Sequence, residues 1–441
     1  MNLDQINLDQ ATPAQLKQWE TELTANYQAI IDQNLSLDLT RGKPSAEQLS
    51  LSDSLDGILN GNYKGSDGTD VRNYGGLDGL PEAKQLGAEL MNVDASDVLV
   101  GGNASLTLMF QAMLCANNFG LTGPDSAWNK DNNKEDSNES SDNKVKFICP
   151  VPGYDRHYTV CEQLNIEMIN VNMTADGPDM DTVEALVKAD SNIKGIWCVP
   201  KYSNPTGVIY SDETVDRIAQ LGKIAGANFR VFWDNAYAVH DLGAFKPLAS
   251  IKAACEKYST QDSVLQFGST SKITFAGAGV AFMAASKANL TGFKKVLGTL
   301  TIGPDKVNQL RTVALLPNKK TLLAHMQKHA AVLAPRFAAV LKSLGTNFGN
   351  NDLGNWEKPE GGYFVSFDTR PGVAVAAAKL SAEAGVKLTP AGATFPYGRD
   401  PEDCNIRIAP SVPTLPEVEA AMKVFAVCVK LASVRIALAS L

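Results

Sequence analysis

Apolar residues recur along this chain with more than one spacing, and the spacing changes with position. Between residues 13 and 34, Leu16, Trp19, Leu23 and Tyr27 repeat near the 3.6-residue period. This predicts an amphipathic helix that Thr12 can cap. The alternating run Leu35–Leu39 predicts a short strand leading into the turn Thr40-Arg41-Gly42-Lys43-Pro44. Pro81, suited to a first helical turn, opens a helix over 81–91. Val98–Val100 is an apolar run closed by Gly101-Gly102, with a helical stretch over 104–116 behind it. Further on, Val145–Cys149, Ile166–Val171, Gly195–Val199, Val231–Trp233 and Val264–Phe267 are apolar runs that predict buried strands. Helical patterns such as 181–189 and 211–227 lie between them. Alternation of this kind predicts a parallel sheet covered on both faces, an α/β architecture.

Past residue 304 the pattern differs. A long helical region covers about 305–346. Strand-like Gly362–Phe367 and Ile406–Ala409 follow, with helices over 373–384 and 415–433, which predicts a smaller α+β unit. No internal repeat is present. Residues 124–144 are rich in Asn, Asp, Ser and Lys and nearly free of apolar side chains, the signature of a surface loop.

Composition narrows the function classes. The 441 residues are 44% hydrophobic and 20% charged, ordinary for a globular chain long enough to bury a large core. The net charge of -8 and the lack of a long basic run argue against nucleic acid as a partner. Seven cysteines are scattered without a C-x-x-C pair, so no zinc ribbon or other metal site is signalled, and the thiols fit a reduced compartment. The N-terminus is polar and acidic rather than signal-like, and no apolar run spans a bilayer. The expectation is a cytoplasmic protein with no membrane partner.

Five short strings carry candidate chemistry. Gly268-Ser269-Thr270-Ser271-Lys272 follows a predicted strand. A partly desolvated lysine there becomes a nucleophilic amine, although most such strings taken alone are exposed turns. Asp234, in Trp233-Asp234-Asn235-Ala236-Tyr237, ends another strand, where a carboxylate faces the ligand crevice and a buried one needs a cationic partner. A helix N-cap is the plainer alternative. Asn204, in Tyr202-Ser203-Asn204-Pro205-Thr206-Gly207, sits in a turn and can donate to a phenolate oxygen, or simply shape the turn. Gly101-Gly102-Asn103-Ala104-Ser105 joins a strand to a helix, the arrangement that binds anions through backbone N–H groups. Arg407, among the apolar residues Ile406, Ile408 and Ala409, suits bidentate capture of a carboxylate, or an internal ion pair. Each string is weak alone; five in one consistent order are not.

The ordered set resembles the fold-type I, class I/II aminotransferases over essentially the whole chain. The match runs from Gly42-Lys43-Pro44 through Tyr74, Gly79-Leu80-Pro81-Glu82, Asn204-Pro205-Thr206-Gly207, Asp234-x-x-Tyr237 and Ser269-x-Ser271-Lys272 to Pro359-Glu360-Gly361-Gly362-Tyr363-Phe364 and Arg407. Leu37–Pro44, Ser269–Phe275 and Gly303-Pro304-Asp305-Lys306 are similar, more narrowly, to an aspartate aminotransferase subgroup related to the aminotransferase-like domains of MocR-type regulators.

The resemblance implies pyridoxal 5'-phosphate held by Lys272 as a Schiff base, with Lys272 also moving the substrate proton. It implies that Asp234 pairs with the pyridine nitrogen, that Asn204 and Tyr237 bond the phenolic oxygen, and that Tyr154 stacks on the ring. Asn103, Ala104, Ser105, Ser269 and Ser271 would hold the phosphate, and Tyr74 would reach the phosphate of a second subunit in a homodimer with shared sites. Arg407, helped by the Gly42 backbone, would clamp the substrate α-carboxylate. The implied fold has a large domain with a mostly parallel seven-stranded sheet at 61–304 and a smaller α+β domain at 305–441 that the N-terminal segment 1–60 joins. The implied reaction is ping-pong transamination of aspartate and 2-oxoglutarate to oxaloacetate and glutamate. Another amino-acid aminotransferase or a carbon–sulfur lyase would use the same cofactor set. A cofactor-sensing regulatory module is the alternative of a different class, although only an acidic segment precedes the loop at 40–44.

Two points stay open in the sequence. The family's usual phosphate-binding Arg shortly after the lysine is replaced by Ala276-Gly277-Ala278-Gly279-Val280-Ala281, small residues that suggest close backbone packing. A dicarboxylic substrate also needs a second cation, for which Arg41, Lys43, Lys306 and Arg311 are candidates; Arg41 ranks first because it adjoins Gly42.

Overall fold

The apolar runs assemble into one sheet whose inner strands are buried on both faces, while the edge strand Glu167–Thr174 mixes buried and water-facing side chains. A computed structural model describes residues 6–129 and 144–441, so most of the predicted surface loop at 124–144 lies outside the described residues. Seven main strands lie in the spatial order Val98–Val100, Ala281–Ala285, Val264–Ser269, Arg230–Asp234, Ile193–Cys198, Lys146–Val151 and Glu167–Thr174. A two-residue strand, Gly177–Pro178, extends the far edge. Neighbours from 264–269 to 167–174 are parallel, and Ala281–Ala285 runs antiparallel to both of its neighbours. Two separate apolar clusters cover the sheet, one with Met109, Met113 and Phe293, the other with Val183, Ile218 and Ile251. The strand Ala281–Ala285 and the helix Lys287–Leu300 behind it have no counterpart in the sequence reading.

Local chemistry sets the helix ends. Thr12 and Gln15 form a reciprocal capping box at the start of Pro13–Ile31, and Pro81 opens Pro81–Met91. The long helical region splits in two, Lys306–Leu315 and Lys319–Phe348. Pro317 disfavours helical geometry in the residue before it, and Asn318 caps the second helix by accepting from the Thr321 N–H.

The helix Lys319–Phe348 crosses from one core to another. Leu322 and Met326 pack with Val71, Leu86 and Phe282 beside the main sheet. Leu333, Phe337 and Phe348 pack with Leu16, Trp19, Phe367, Ile406 and Val429. That second core joins the N-terminal helix to the C-terminal helix Leu415–Ala439 and to the antiparallel sheet Gly354–Trp356, Val365–Thr369 and Asn405–Ile408. No described helix is long and apolar enough to cross a membrane.

Candidate active site

In an open α/β sheet, ligands bind outside the carboxyl ends of the strands. Asp234 ends the strand Arg230–Asp234, Lys272 lies just past Val264–Ser269, and Asn204, Tyr154 and Asn103 follow three further strands. Among the described residues, Tyr154, Asn204, Tyr237, Lys272, Arg407, Arg41 and Gly42 line one cavity of about 660 Å³, completed by residues that include Lys43, Asp155, Arg156, Phe364 and Thr389.

Asp234 does not line this cavity but lies buried beside it, 2% exposed, near enough for its charge to act on Tyr154 and Tyr237. One carboxylate oxygen, Oδ2, accepts from His157 Nε2 at 3.1 Å, and the His157 ring stacks on Trp197 at 4.2 Å and 7°. The other oxygen, Oδ1, is buried with no hydrogen-bond partner. An unpaired buried acceptor costs about 1–3 kcal/mol, so this oxygen calls for a donor from a ligand. His157 escaped the sequence reading; its only signal is its place on the first turn of the helix Asp155–Gln163, just after Tyr154.

The cavity walls are aromatic and cationic. Lys272 Nζ lies 4.6 Å from the centre of the Tyr237 ring, and the Arg407 guanidinium lies 4.8 Å from that of Phe364. Arg407, 6% exposed, donates through Nη1 to Asp155 Oδ1 at 3.0 Å and Asn204 Oδ1 at 3.2 Å, and through Nε to Thr389 Oγ1 at 3.3 Å. Its fork is therefore aimed before any substrate arrives. Burial pushes the Tyr154 hydroxyl up to about 12 and raises that of Tyr237, with the Asp234 charge adding to the effect on Tyr237. Both phenols stay protonated at neutral pH.

Asn103, Ala104, Ser105, Ser269 and Ser271 do not line this cavity but form a cluster next to it. Ser271 Oγ donates to the Asn103 carbonyl at 2.5 Å, and Asn103 Nδ2 donates to the Gly277 carbonyl at 3.3 Å. The helix Ser105–Asn118 has no side-chain cap, which leaves its first N–H groups available to an anion. The stretch without the usual Arg packs closely only from Gly279 on, while Ala276 and Gly277 are exposed and a Cβ on Gly277 would meet nothing within 4 Å. A Cβ on Gly279 would sit 2.8 Å from the Ser271 backbone nitrogen, and Asn308 Nδ2 fastens the turn through the Ala278 and Gly279 carbonyls at 2.8 and 3.0 Å.

Three other residues lie away from the cavity. Tyr74 is 87% exposed. Lys306 is buried and donates to the Asn73 and Gly75 carbonyls at 2.9 and 2.5 Å, so it grips the loop that carries Tyr74. Arg311 Nε donates to the Leu55 carbonyl at 3.1 Å. Of the four cations considered for a second carboxylate, only Arg41 and Lys43 reach the cavity wall, and Arg156 joins them there unforeseen.

The sequence matches the family described as aspartate amino-transferase over residues 11–440. The chain belongs to that family. It is 41% identical to an aspartate aminotransferase of Corynebacterium glutamicum over 98% of this chain and 97% of that protein. The crystal structure of an aspartate transaminase from C. glutamicum superposes with a TM-score of 0.91 at 41% identity, covering 98% of this chain and all of the other. An α-aminoadipate aminotransferase of Thermus thermophilus, complexed with N-(5'-phosphopyridoxyl)-L-leucine, shares the fold at a TM-score of 0.72 and 17% identity. This family member is thus an aminotransferase of fold type I, with the expected α/β architecture.

Proposed function

We propose that this aminotransferase uses pyridoxal 5'-phosphate to convert aspartate and 2-oxoglutarate to oxaloacetate and glutamate. The carrying observation is Asp234 Oδ1, a buried acceptor without a partner, beside the cavity that Lys272 and Arg407 line. The residues fit the cofactor: a carboxylate for the ring nitrogen, a lysine amine for the aldehyde, and uncapped helical N–H groups with serine hydroxyls for the phosphate. When bound, the cofactor's ring withdraws electrons and acidifies the substrate Cα–H.

Each residue then has a distinct task. Asp234 Oδ1 accepts the ring N–H, and His157 on Oδ2 fixes the carboxylate plane. Tyr154 stacks on the ring. Asn204 is held through Oδ1 by Arg407, which turns its Nδ2 donor, together with the Tyr237 hydroxyl, toward the phenolic oxygen. Lys272 Nζ would hold the cofactor until the substrate amine displaces it, and the freed amine would then move the proton between the substrate Cα and the cofactor C4′. Arg407, with Nη1 and Nε held by Asp155, Asn204 and Thr389, offers Nη2 to the α-carboxylate, beside the Gly42 backbone. Arg41 reads the second carboxylate. Release of one keto acid before the other binds makes the kinetics ping-pong.

Tyr74 completes the phosphate site of a second copy in a homodimer. Its own exposure, and that of Leu300 at 57% and Ile302 at 67%, supports this, because the Gly303 loop packs against Gly75. Seven free cysteines, all but Cys404 buried, support a reducing, cytoplasmic setting. The test is an absorbance spectrum before and after adding L-aspartate, with Lys272→Ala alongside. The expected result is a visible-edge band that aspartate discharges and the variant lacks. A band that ignores aspartate overturns the substrate, and no band after cofactor is supplied overturns the whole reading.

A further inference from the structure

The chain contains four histidines, and all four are buried close to the candidate site. His157 serves Asp234. The other three, His240, His325 and His329, converge behind Lys272 on the backbone of the turn that carries it. His240 Nε2 lies 3.3 Å from the Lys272 carbonyl oxygen, and the Tyr363 hydroxyl donates to the same oxygen at 3.3 Å. His325 Nε2 and His329 Nε2 lie 2.8 and 2.9 Å from the next carbonyl, that of Ile273. Two successive carbonyls, neither with a strand partner, are each faced by two side-chain donors.

Gln48 fixes the direction of two of these bonds, those of Tyr363 and His329. Its Oε1 accepts from the Ser45 backbone N–H at 3.1 Å, within the capping box of the helix Ala46–Ser50. Its Nε2 therefore supplies the donors, one to Tyr363 Oη at 3.1 Å and one to His329 Nδ1 at 3.0 Å. With Nδ1 accepting, the proton of neutral His329 sits on Nε2 and points at Ile273. With its oxygen accepting from Gln48, Tyr363 spends its own proton on Lys272. Burial lowers the proton affinity of all three histidines, His329 to about 4, in keeping with neutral rings.

We propose that Gln48, Tyr363, His240, His325 and His329 are positioning residues: they clamp the Lys272 and Ile273 carbonyls so that only the lysine side chain moves during turnover. The inference rests on the cofactor role of Lys272. The convergence carries it. Gln48, on a helix just past the Gly42 loop, orients two of the donors. The donors come from the loop after Tyr237, from the crossing helix Lys319–Phe348 and from the edge of the second core. All meet on the two residues whose backbone sets where Nζ starts. A network that served packing alone has no reason to end there.

The decisive variants are Tyr363→Phe, which deletes one hydroxyl, and the pair His329→Leu and His329→Gln, of which only the second keeps a donor toward Ile273. Three readouts are made on the protein loaded with cofactor. They are hydrogen exchange in the peptide covering 268–275, pH titration of the visible band, and single-turnover discharge of that band by aspartate. The clamp predicts faster exchange and a displaced titration midpoint in Tyr363→Phe and His329→Leu. Their discharge rate should fall by about ten- to 10²-fold at unchanged aspartate affinity, with His329→Gln largely restored. Exchange, titration and rate equal to the parent overturn the clamp, as does a loss of thermal stability shared equally by Leu and Gln. A parent chain that takes up no cofactor overturns the reading of Lys272 itself, and the inference with it.

Discussion

Acid should unfold this protein partly through His329. The ring is 1% exposed, and burial lowers its pKa from an ordinary 6.5 to about 4. The unfolded chain therefore binds the proton more readily than the folded one. Stability on this account is complete above pH 6.5 and is lost as pH falls toward 4. At about 1.4 kcal/mol per pKa unit, acidification from pH 7 to 4 costs about 3 kcal/mol from this residue. That is a large share of the 5–15 kcal/mol typical of a domain. His240 and His325 are shifted in the same direction, also by burial, and add to the slope. The assay is urea unfolding of cofactor-free protein at a series of pH values, comparing the parent with His329→Gln. The variant keeps an amide donor toward Ile273 but has no titrating ring. Carboxylates with lowered pKa, such as Asp70 beside Arg72, weaken both proteins alike as pH falls. The parent should therefore lose about 3 kcal/mol more than the variant between pH 7 and 4. Parallel curves across that window would refute the reasoning.

Three further outcomes are expected. Asp234→Asn keeps the shape of the carboxylate but removes its charge, and a charge-assisted bond is worth about 1.5–3 kcal/mol, so cofactor affinity should weaken by about ten- to 10²-fold in equilibrium dialysis. Arg41→Ala should raise the KM for aspartate but not for alanine, by the equivalent of about 2–5 kcal/mol; an aspartate KM that responds to Arg156→Ala instead would move the assignment to that residue. Cofactor release from the parent chain should be faster than from relatives with the usual phosphate-binding Arg, and equal rates would show that N–H groups and hydroxyls hold the phosphate as well.

How much of this was legible depends on the distance over which each signal acts. Asp234, Asn204 and Lys272 each sit at the end of an apolar run, so strand, turn and reactive side chain fall within a few consecutive residues. The strand Ala281–Ala285 did not declare itself, because alanine and methionine carry little preference for extended structure. Its register comes from pairing with Val98–Val100 and Val264–Ser269, far away in the chain. Arg41 ranked ahead of Lys306 and Arg311 in sequence only because it adjoins Gly42, and packing is what separates a cation on the cavity wall from one spent on the Asn73 and Gly75 carbonyls. The histidine clamp has no local signature at all. His325 and His329 share a helix face, but the carbonyl they serve lies more than fifty positions earlier in the chain.

The helix Lys319–Phe348 has a mechanical consequence. One end is anchored by His325 and His329 at the Lys272 turn, and the rest runs into the core whose strands carry Arg407. From His329 to Phe348 it extends about 28 Å at 1.5 Å per residue. A tilt of about 10° at the anchored end sweeps the far end through about 5 Å on that length. The rod is thus a lever whose fulcrum sits beside Lys272, and Pro335, which lacks a helical N–H, is the point along it where the lever gives most easily.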